Sequence, residues 1–303
     1  MDFLKYPKVR SLDIYNMSTF LQNICSVIRM TAFISSFAFI QVITLLMAPL
    51  TILNPFLRRC GVIEKNLPTN QVLPILARFV LFSSGVRLNV NDQSKKVTSK
   101  VIYMYNHTSN LDPVIVMSTA ACKFIYKKEL MYVPIFGWAM LAYKHIAIDR
   151  KNRAQAIESL NRAVKSVVEK KQNVAISPEG TRSKTGLLQE FKKGPFHMAL
   201  QSRATIVPVV ITGVFPILPP KSFLLTGGQV AVKLLPPVTI RENESVEELQ
   251  ERVRIMFVDA LEASNKAAPK SQPNYLATTA QSLVSLYALF QITTLVVGLV
   301  LGR

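Results

Sequence analysis

The sequence predicts an α/β fold in which a mixed, largely buried sheet is flanked by helices, with N-terminal membrane helices and a C-terminal membrane helix. Short apolar runs rich in β-branched residues alternate with helical patterns over residues 87–264. No charged residue occurs in residues 30–57, nor between Lys270 and Arg303. Half of the 303 residues are hydrophobic and the mean hydropathy is +0.27, which is high for a water-soluble protein.

Two N-terminal segments are predicted. Residues 1–29 form a basic segment without the apolar centre of a cleaved signal peptide. Residues 30–86 form a membrane-embedded and interfacial helical motif. Within it, residues 31–53 are long enough to cross a bilayer, and Pro49 is expected to kink that helix or turn it back. Residues 72–86 are too short to span and favour an interfacial amphipathic helix, and a core helix is the alternative for both segments.

Residues 87–264 are predicted to form the α/β domain. Its predicted strands are residues 101–105, 123–126, 145–148, 174–177, 206–211 and 229–234. Its predicted helices are residues 113–121, 129–142, 154–170 and a last helix that begins with a capping box at Ser245 and ends near Ser264. Residues 265–281 are typical of a linker. Residues 282–303 are predicted to be a C-terminal transmembrane helix, with a core helix as the alternative.

The charge balance limits the class of partner. Lys and Arg number 36 against 18 Asp and Glu, a formal net charge of +18, which favours nucleic acid, anionic lipid or phosphorylated substrates. Because the chain is also apolar, lipid and phosphate are favoured, and no nucleic acid partner is predicted. The three cysteines and three histidines lack the spacing of a disulfide framework or a zinc site, so no metal is predicted.

A histidine and an aspartate lie five positions apart in a polar stretch, residues 106–112, that follows a predicted buried strand. An unperturbed histidine has a pKa of about 6.5, so His107 can accept a proton near neutral pH while Asp112 orients its ring. The alternative is a structural turn, with Asp112 as the N-cap of a helix that begins at Pro113. The two interpretations are compatible.

A second polar stretch, residues 178–183, follows the predicted buried strand at residues 174–177. Gly180 allows a sharp turn and close approach of the backbone to a ligand. Arg182 can bind a phosphate bidentately and Thr181 can donate its hydroxyl, while Glu179 can orient Arg182 or accept from a substrate hydroxyl. The alternative is a surface turn with an internal Glu–Arg pair.

Three further cations are phosphate-binding candidates. Lys192 and Lys193 precede a predicted helix whose N-terminus also favours an anion. Arg150 follows a predicted strand, where ligands of α/β sheets tend to bind. Alternatively the lysines are solvated and Arg150 pairs with Asp149 or Glu158.

These stretches, in this order, resemble the four blocks of the glycerophospholipid acyltransferase family, and most closely its 1-acylglycerol-3-phosphate acyltransferases. Residues 106–112 are similar to the HxxxxD block and residues 128–150 to the second block. Residues 178–183 with 191–194 are similar to the third block, and residues 207–213 to the fourth. The chain departs from the family at Ser177, where members usually carry a phenylalanine or another bulky apolar residue.

The resemblance implies transfer of a fatty acyl group from acyl-CoA, a co-substrate, to the free hydroxyl of lysophosphatidic acid, without an acyl-enzyme, a metal or a cofactor. It implies that His107 is the general base and that Asp112 orients it. It implies an acceptor-binding set of Glu179, Gly180, Thr181 and Arg182, assisted by Arg150 and by Lys192 or Lys193. It also implies an integral membrane protein, of the endoplasmic reticulum in a eukaryote or of the inner membrane in a bacterium.

Other functions remain open on the sequence. Related enzymes acylate other lysophospholipids or glycerol-3-phosphate. A lipid hydrolase or thioesterase would use the same histidine and aspartate to activate water, although the chain lacks the GxSxG motif of serine hydrolases. A non-catalytic, basic membrane-binding protein would share the composition without the chemistry.

Overall fold

The strands form one mixed sheet in the computed structural model, which describes residues 11–59, 69–94, 97, 100–134, 136–267 and 275–300. In chain order they are β1 (Val86–Asp92), β2 (Val101–Tyr105), β3 (Lys123–Lys127), β4 (Ile146–Ile148), β5 (Val174–Ile176), β6 (Thr205–Thr212) and β7 (Gly228–Leu234). Their order across the sheet is β1-β7-β6-β2-β5-β3-β4. The strands β6, β2, β5, β3 and β4 are parallel, whereas β7 is antiparallel to β6 and pairs in parallel with β1. The predicted mixed sheet is confirmed.

Helices cover both faces of the sheet. In chain order they are α1 (Ser11–Arg59), α2 (Thr69–Ser83), α3 (Asp112–Thr119), α4 (Phe136–Ala142), α5 (Arg153–Glu169), α6 (Gly194–Ser202), α7 (Val246–Ala267) and α8 (Tyr275–Val300), with a 3₁₀ helix at Lys128–Tyr132. Tyr103 and Tyr105 of β2 pack on the side of α1 to α4, while Ile102 and Met104 pack on the side of α5 to α7. Because both faces are covered, the central strands are continuously apolar in the sequence.

The N-terminal helix is longer than predicted. It runs from Ser11 through Pro49 to Arg59, so the chain does not turn back at Pro49, and the alternative of a kink there stays a prediction. Within the described residues, Thr19–Ile43 is the segment long and apolar enough to cross a membrane, and 28% of its most apolar window is buried. That low burial is unlike a core helix. The charge-free stretch, residues 30–57, therefore does not mark where the helix begins or ends.

Two other boundaries differ from the prediction. The predicted helix over residues 129–142 is divided into the 3₁₀ helix and α4, because Pro134 lacks an N–H group and restricts the residue before it. The helix α8 begins at Tyr275, inside the segment predicted as a linker. A helix is therefore present where the C-terminal membrane helix is expected, and its place in a membrane stays a prediction.

Candidate active site

The predicted site residues converge because their strands are parallel. The carboxyl ends of parallel strands lie at the same edge of a sheet, where α/β proteins tend to bind ligands. His107 follows β2, Glu179 follows β5 and Arg150 follows β4, so groups from distant parts of the chain reach this edge. We call it the catalytic edge.

His107 and Asp112 are in direct contact. The Nδ1 atom of His107 lies 2.8 Å from Oδ2 of Asp112, and the same oxygen accepts the backbone N–H groups of Thr108 at 2.6 Å and Ser109 at 2.7 Å. Asp112 is fully buried, whereas the His107 side chain is 16% exposed. Because a carboxylate accepts hydrogen bonds, Nδ1 of His107 carries the proton in this arrangement and Nε2 is left to accept one.

Asp112 does not cap α3. The N-cap residue is Leu111, its side chain makes no capping hydrogen bond, and Asp112 is the first helical residue. The N-cap interpretation of Asp112 is therefore wrong. The carboxylate instead points back toward the amides that precede the helix, which fixes the turn and His107 together.

Glu179 supports the backbone of His107. Its Oε1 atom accepts the N–H of His107 at 2.7 Å, and its Oε2 atom accepts the backbone N–H of Gln189 at 3.0 Å and the side-chain amide of Gln189 at 3.2 Å. Burial raises the pKa of Glu179, and the donors from His107 and Gln189 oppose that rise. The structure thus directs Glu179 toward the loops of the site, and not toward Arg182 as the sequence suggested.

Arg182 lies against the loop that carries His107. Its Nη1 atom donates to Oδ1 of Asn110 at 2.6 Å, so this arginine binds the polar stretch of residues 106–112 and does not pair with Glu179. The N–H of Ser183 also donates to the carbonyl of His107, at 2.7 Å. These two contacts join the Glu179–Ser183 turn to the histidine.

Two more cations border the same turn. Arg150 donates from Nη1 to the carbonyl of Gly180, and burial lowers the pKa of this arginine. Gly180 has φ of +72°, and a Cβ there would lie 3.4 Å from Cγ of Lys192, so the stem of that lysine covers the glycine. Lys193 points elsewhere, because its ammonium lies 2.6 Å from Glu247 of α7. The structure therefore brings Arg150, Arg182 and Lys192 to this turn, whereas the ammonium of Lys193 lies beside α7.

Some residues of the site were not predicted. The Asn106 side chain donates to the carbonyl of Ile211 at 2.9 Å and accepts its N–H at 2.8 Å, which ties the end of β2 to β6. Gln189 holds Glu179 and also donates to the carbonyl of Thr181 at 2.9 Å. Asn106 lies in the polar stretch that drew attention to His107, but nothing in the sequence distinguishes Gln189.

The arrangement can remove a proton from a hydroxyl group beside an anion. A partly exposed imidazole with a fixed carboxylate behind it is a general base. Cations around a glycine turn bind phosphate groups. Among the residues that the structure describes, no three His, Cys, Asp or Glu side chains converge as metal ligands.

Comparison with known proteins agrees with this geometry. The model of a family described as Acyltransferase matches residues 87–212. A 1-acyl-sn-glycerol-3-phosphate acyltransferase of Limnanthes douglasii is 34% identical over 197 residues, which are 63% of this chain and 69% of that protein. The chain belongs to the acyltransferase family. The match to residues 87–212 contains His107, Asp112 and the turn at Glu179–Arg182, as the resemblance predicts.

Other acyltransferases are similar over the same part of the chain. The 1-acyl-sn-glycerol-3-phosphate acyltransferase of Cocos nucifera is 34% identical over 63% of this chain and 63% of its own length. That of Saccharomyces cerevisiae is 33% identical over 58% of this chain and 60% of its own length. The match thus spans less than two thirds of these two relatives. The crystal structure of the 1-acyl-sn-glycerophosphate acyltransferase of Thermotoga maritima superimposes with a TM-score of 0.65 at 22% identity, over 83% of this chain and all of that chain, which confirms the fold.

Proposed function

We propose that this chain transfers a fatty acyl group from acyl-CoA to the free hydroxyl of 1-acylglycerol-3-phosphate (lysophosphatidic acid), and so forms phosphatidic acid. The observation that carries the proposal is the contact between His107 and Asp112 at the same edge of the sheet as the cations around Gly180. The acceptor follows from the names of the relatives, which match the chain across this edge.

The reaction needs one proton transfer in each direction. The Nε2 atom of His107 takes the proton of the acceptor hydroxyl while that oxygen attacks the thioester carbonyl. The tetrahedral intermediate then expels the CoA thiolate, which takes the proton back from the imidazolium. Asp112 stabilises the imidazolium between the two steps. A general base contributes roughly 10²–10⁴-fold, so positioning of the substrates and stabilisation of the oxyanion supply the rest.

The cations near Gly180 bind the phosphate of the acceptor in this proposal. Arg150 and Arg182 each use one N–H in contacts within the protein, and a guanidinium has five donors, so both keep donors for a phosphate. Asn110 holds Arg182 in place before substrate arrives. Lys192 adds a charge above the turn, while Thr181 donates its hydroxyl. The ammonium of Lys193 lies beside Glu247 of α7 and not beside Gly180, so Lys193 is not assigned to this set.

The membrane location is proposed on the same basis. The apolar segment Thr19–Ile43 of α1 inserts into the bilayer and makes the chain an integral membrane protein, of the endoplasmic reticulum in a eukaryote or of the inner membrane in a bacterium. This location suits the reaction, because acceptor and product both carry acyl chains that dissolve in the bilayer.

The test is CoA release by the purified chain with acyl-CoA and a panel of acceptors: lysophosphatidic acid, other lysophospholipids and glycerol-3-phosphate. We expect lysophosphatidic acid to be the best acceptor, and His107→Ala to lose at least about 10²-fold in rate. His197→Ala is the matched control, since His197 is exposed on α6, and it should retain full activity.

Three outcomes would contradict the proposal. Undiminished turnover by His107→Ala would remove the proposed base. Consumption of acyl-CoA that does not depend on an acceptor would identify a hydrolase or thioesterase. Binding to anionic lipid with no acyl transfer to any acceptor would identify a non-catalytic membrane-binding protein.

A further inference from the structure

The segment between β3 and β4 exposes a cluster of large apolar side chains. It consists of the 3₁₀ helix and α4, and Tyr132 is 74% and Trp138 56% exposed. We call this cluster the β3–β4 patch; its members are Leu130, Tyr132, Val133, Trp138 and Leu141. Contiguous exposed apolar surface on a folded domain marks a site of contact with a protein or a membrane.

The β3–β4 patch lies beside the apolar part of α1. The ring of Phe136 in α4 stacks on Phe37 of α1 with centroids 5.6 Å apart, and Phe37 stacks on Phe33 at 5.7 Å. Both α1 phenylalanines lie within Thr19–Ile43, the segment able to cross a membrane. If that segment enters a bilayer, the contact with Phe37 holds α4 against the same bilayer.

The packing of α4 against the 3₁₀ helix determines which side chains of the patch are exposed. A Cβ on Gly137 would lie 2.0 Å from the carbonyl oxygen of Met131, so only glycine lets α4 pack this closely on the 3₁₀ helix. Ala139 and Met140 are buried on the inner side of α4. The inner side of this short helix is therefore fixed, and its outer side presents Trp138 and Leu141.

The charges around the patch favour an anionic surface. Four lysines flank it, at positions 127, 128, 144 and 151, against the two carboxylates of Glu129 and Asp149. Exposed ion pairs of this kind are weak and leave the lysines free to meet lipid headgroups. Tyr and Trp are the side chains enriched where a membrane meets water. The patch and its surroundings thus combine apolar, aromatic and basic side chains, which is the combination that binds the surface of an anionic bilayer.

We propose that the β3–β4 patch inserts into the headgroup region of an anionic bilayer and seats the catalytic edge on the membrane. The chain passes from the carboxyl end of β3 into the patch, and from the carboxyl end of β4 into Arg150. Contact between the patch and the bilayer therefore places the site at the membrane surface, where lipid substrates lie. The inference relies on insertion of α1, and it does not rely on the acyl transfer proposed for His107.

The chain contains one tryptophan, Trp138, which makes the patch its own fluorescent probe. The experiment reconstitutes the full chain in vesicles of phosphatidylcholine and phosphatidylglycerol, with and without dibrominated acyl chains. We expect brominated lipid to quench Trp138, and aqueous acrylamide to quench it at least about two-fold less than a water-exposed tryptophan, because the ring lies among headgroups.

A relocated tryptophan provides the matched control. Ile255 is 49% exposed on α7, on the opposite face of the sheet, so Ile255→Trp in a Trp138→Phe background places the same fluorophore away from the bilayer. This control should be quenched by acrylamide and unaffected by brominated lipid. Identical quenching at the two positions would overturn the proposal.

A charged variant tests the patch through function. In Leu141→Glu, the bromine quenching of Trp138 should fall and transfer to acceptor in vesicles should slow, while transfer between water-soluble short-chain substrates stays unchanged. Protection of Trp138 from acrylamide without bromine quenching, together with cross-linking between chains, would show that a second copy covers the patch and would overturn the membrane assignment. The fluorescence readout needs no activity, so it also separates failure of this inference from failure of the proposed function.

Discussion

Asp112 acts on His107 through a single oxygen atom that also accepts two backbone N–H groups. Asp112→Asn keeps the size of this side chain and removes its charge, so the imidazolium formed during reaction loses its stabilising partner. We expect kcat to fall by about 10²–10⁴ while KM for the acceptor changes little. Steady-state kinetics with lysophosphatidic acid measures both values.

The control for Asp112→Asn is Asp92→Asn. Asp92 accepts hydrogen bonds from Ser94 at the end of β1, which is an outermost strand of the sheet and is separated from β2 by β6 and β7. Its replacement should therefore leave kcat and KM unchanged. If Asp112→Asn raised KM and left kcat intact, the carboxylate would belong to acceptor binding, and its assignment as the partner of the base would be wrong.

The direction of each side chain decides which predicted site residues meet. The pairing of His107 with Asp112 is local, so the spacing in the sequence was sufficient to predict it. Glu179 and Lys193 differ, because Glu179 accepts the backbone N–H of His107, 72 residues earlier, and Lys193 pairs with Glu247, 54 residues away. Partners that arrive through tertiary packing leave no spacing in the sequence.

At the scale of elements, the bounds of the buried strands could be predicted more closely than those of the helices. The strands β2, β3, β5 and β6 lie within one or two residues of the predicted bounds, because strands covered on both faces are uninterrupted apolar runs. Helix ends were less accurate. The start of α1 at Ser11 lies among polar residues, and the break between the 3₁₀ helix and α4 depends on Pro134 and on close packing at Gly137.

His145 joins β3 to β4 and makes this part of the sheet sensitive to acid. Its Nδ1 atom accepts the N–H of Phe124 at 2.9 Å, a contact that requires the neutral ring. Burial, with Lys123 nearby, lowers the pKa of His145 to about 3. In the unfolded chain the ring takes up a proton at the ordinary pKa of about 6.5.

This shift gives the stability a predicted pH dependence. Between pH 6.5 and 3 the unfolded chain holds one proton more at His145 than the folded chain. The neutral ring therefore contributes fully to the free energy of unfolding above pH 6.5, and this contribution falls by about 1.4 kcal/mol for each pH unit below that. We expect the midpoint of thermal unfolding in detergent to fall less steeply from pH 7 to pH 5 for His145→Gln than for the wild type. His197→Ala, on the exposed side of α6, should keep the wild-type slope; equal slopes in all three proteins would contradict the assignment.

At the scale of the whole molecule, the two faces of the sheet have different surroundings. The helices α1, α2 and α4 lie on one face, and α1 and α2 also contact α8, whereas α5 to α7 cover the other face. The apolar segment of α1 and the β3–β4 patch both belong to the first side. The molecule is therefore asymmetric, with the exposed apolar side chains of α1 and of the β3–β4 patch on one side of the sheet and the helices α5 to α7 on the other.

Arg29 connects three elements on this side of the sheet. It is fully buried in α1; its Nε atom donates to the carbonyl of Leu225 at 3.0 Å, and its Nη1 atom donates to Thr279 of α8 at 2.8 Å. A Cβ on either Gly85 or Gly227 would lie 3.2 Å from Cδ of Arg29, so both turns pack against its stem. One side chain thus connects α1, α8 and the loop that leads into β7.

Replacement of Arg29 should therefore separate the C-terminal helix from the catalytic domain. Arg29→Met keeps most of the stem and removes the donors to Leu225 and Thr279, and each lost buried hydrogen bond costs about 1–3 kcal/mol. We expect the temperature at which acyl transfer in detergent is lost to fall by about 5–10 °C. Arg87→Met, an exposed arginine on β1, is the matched control and should not shift it. An unchanged temperature for Arg29→Met would mean that apolar packing alone docks α8, and would contradict the role assigned to Arg29.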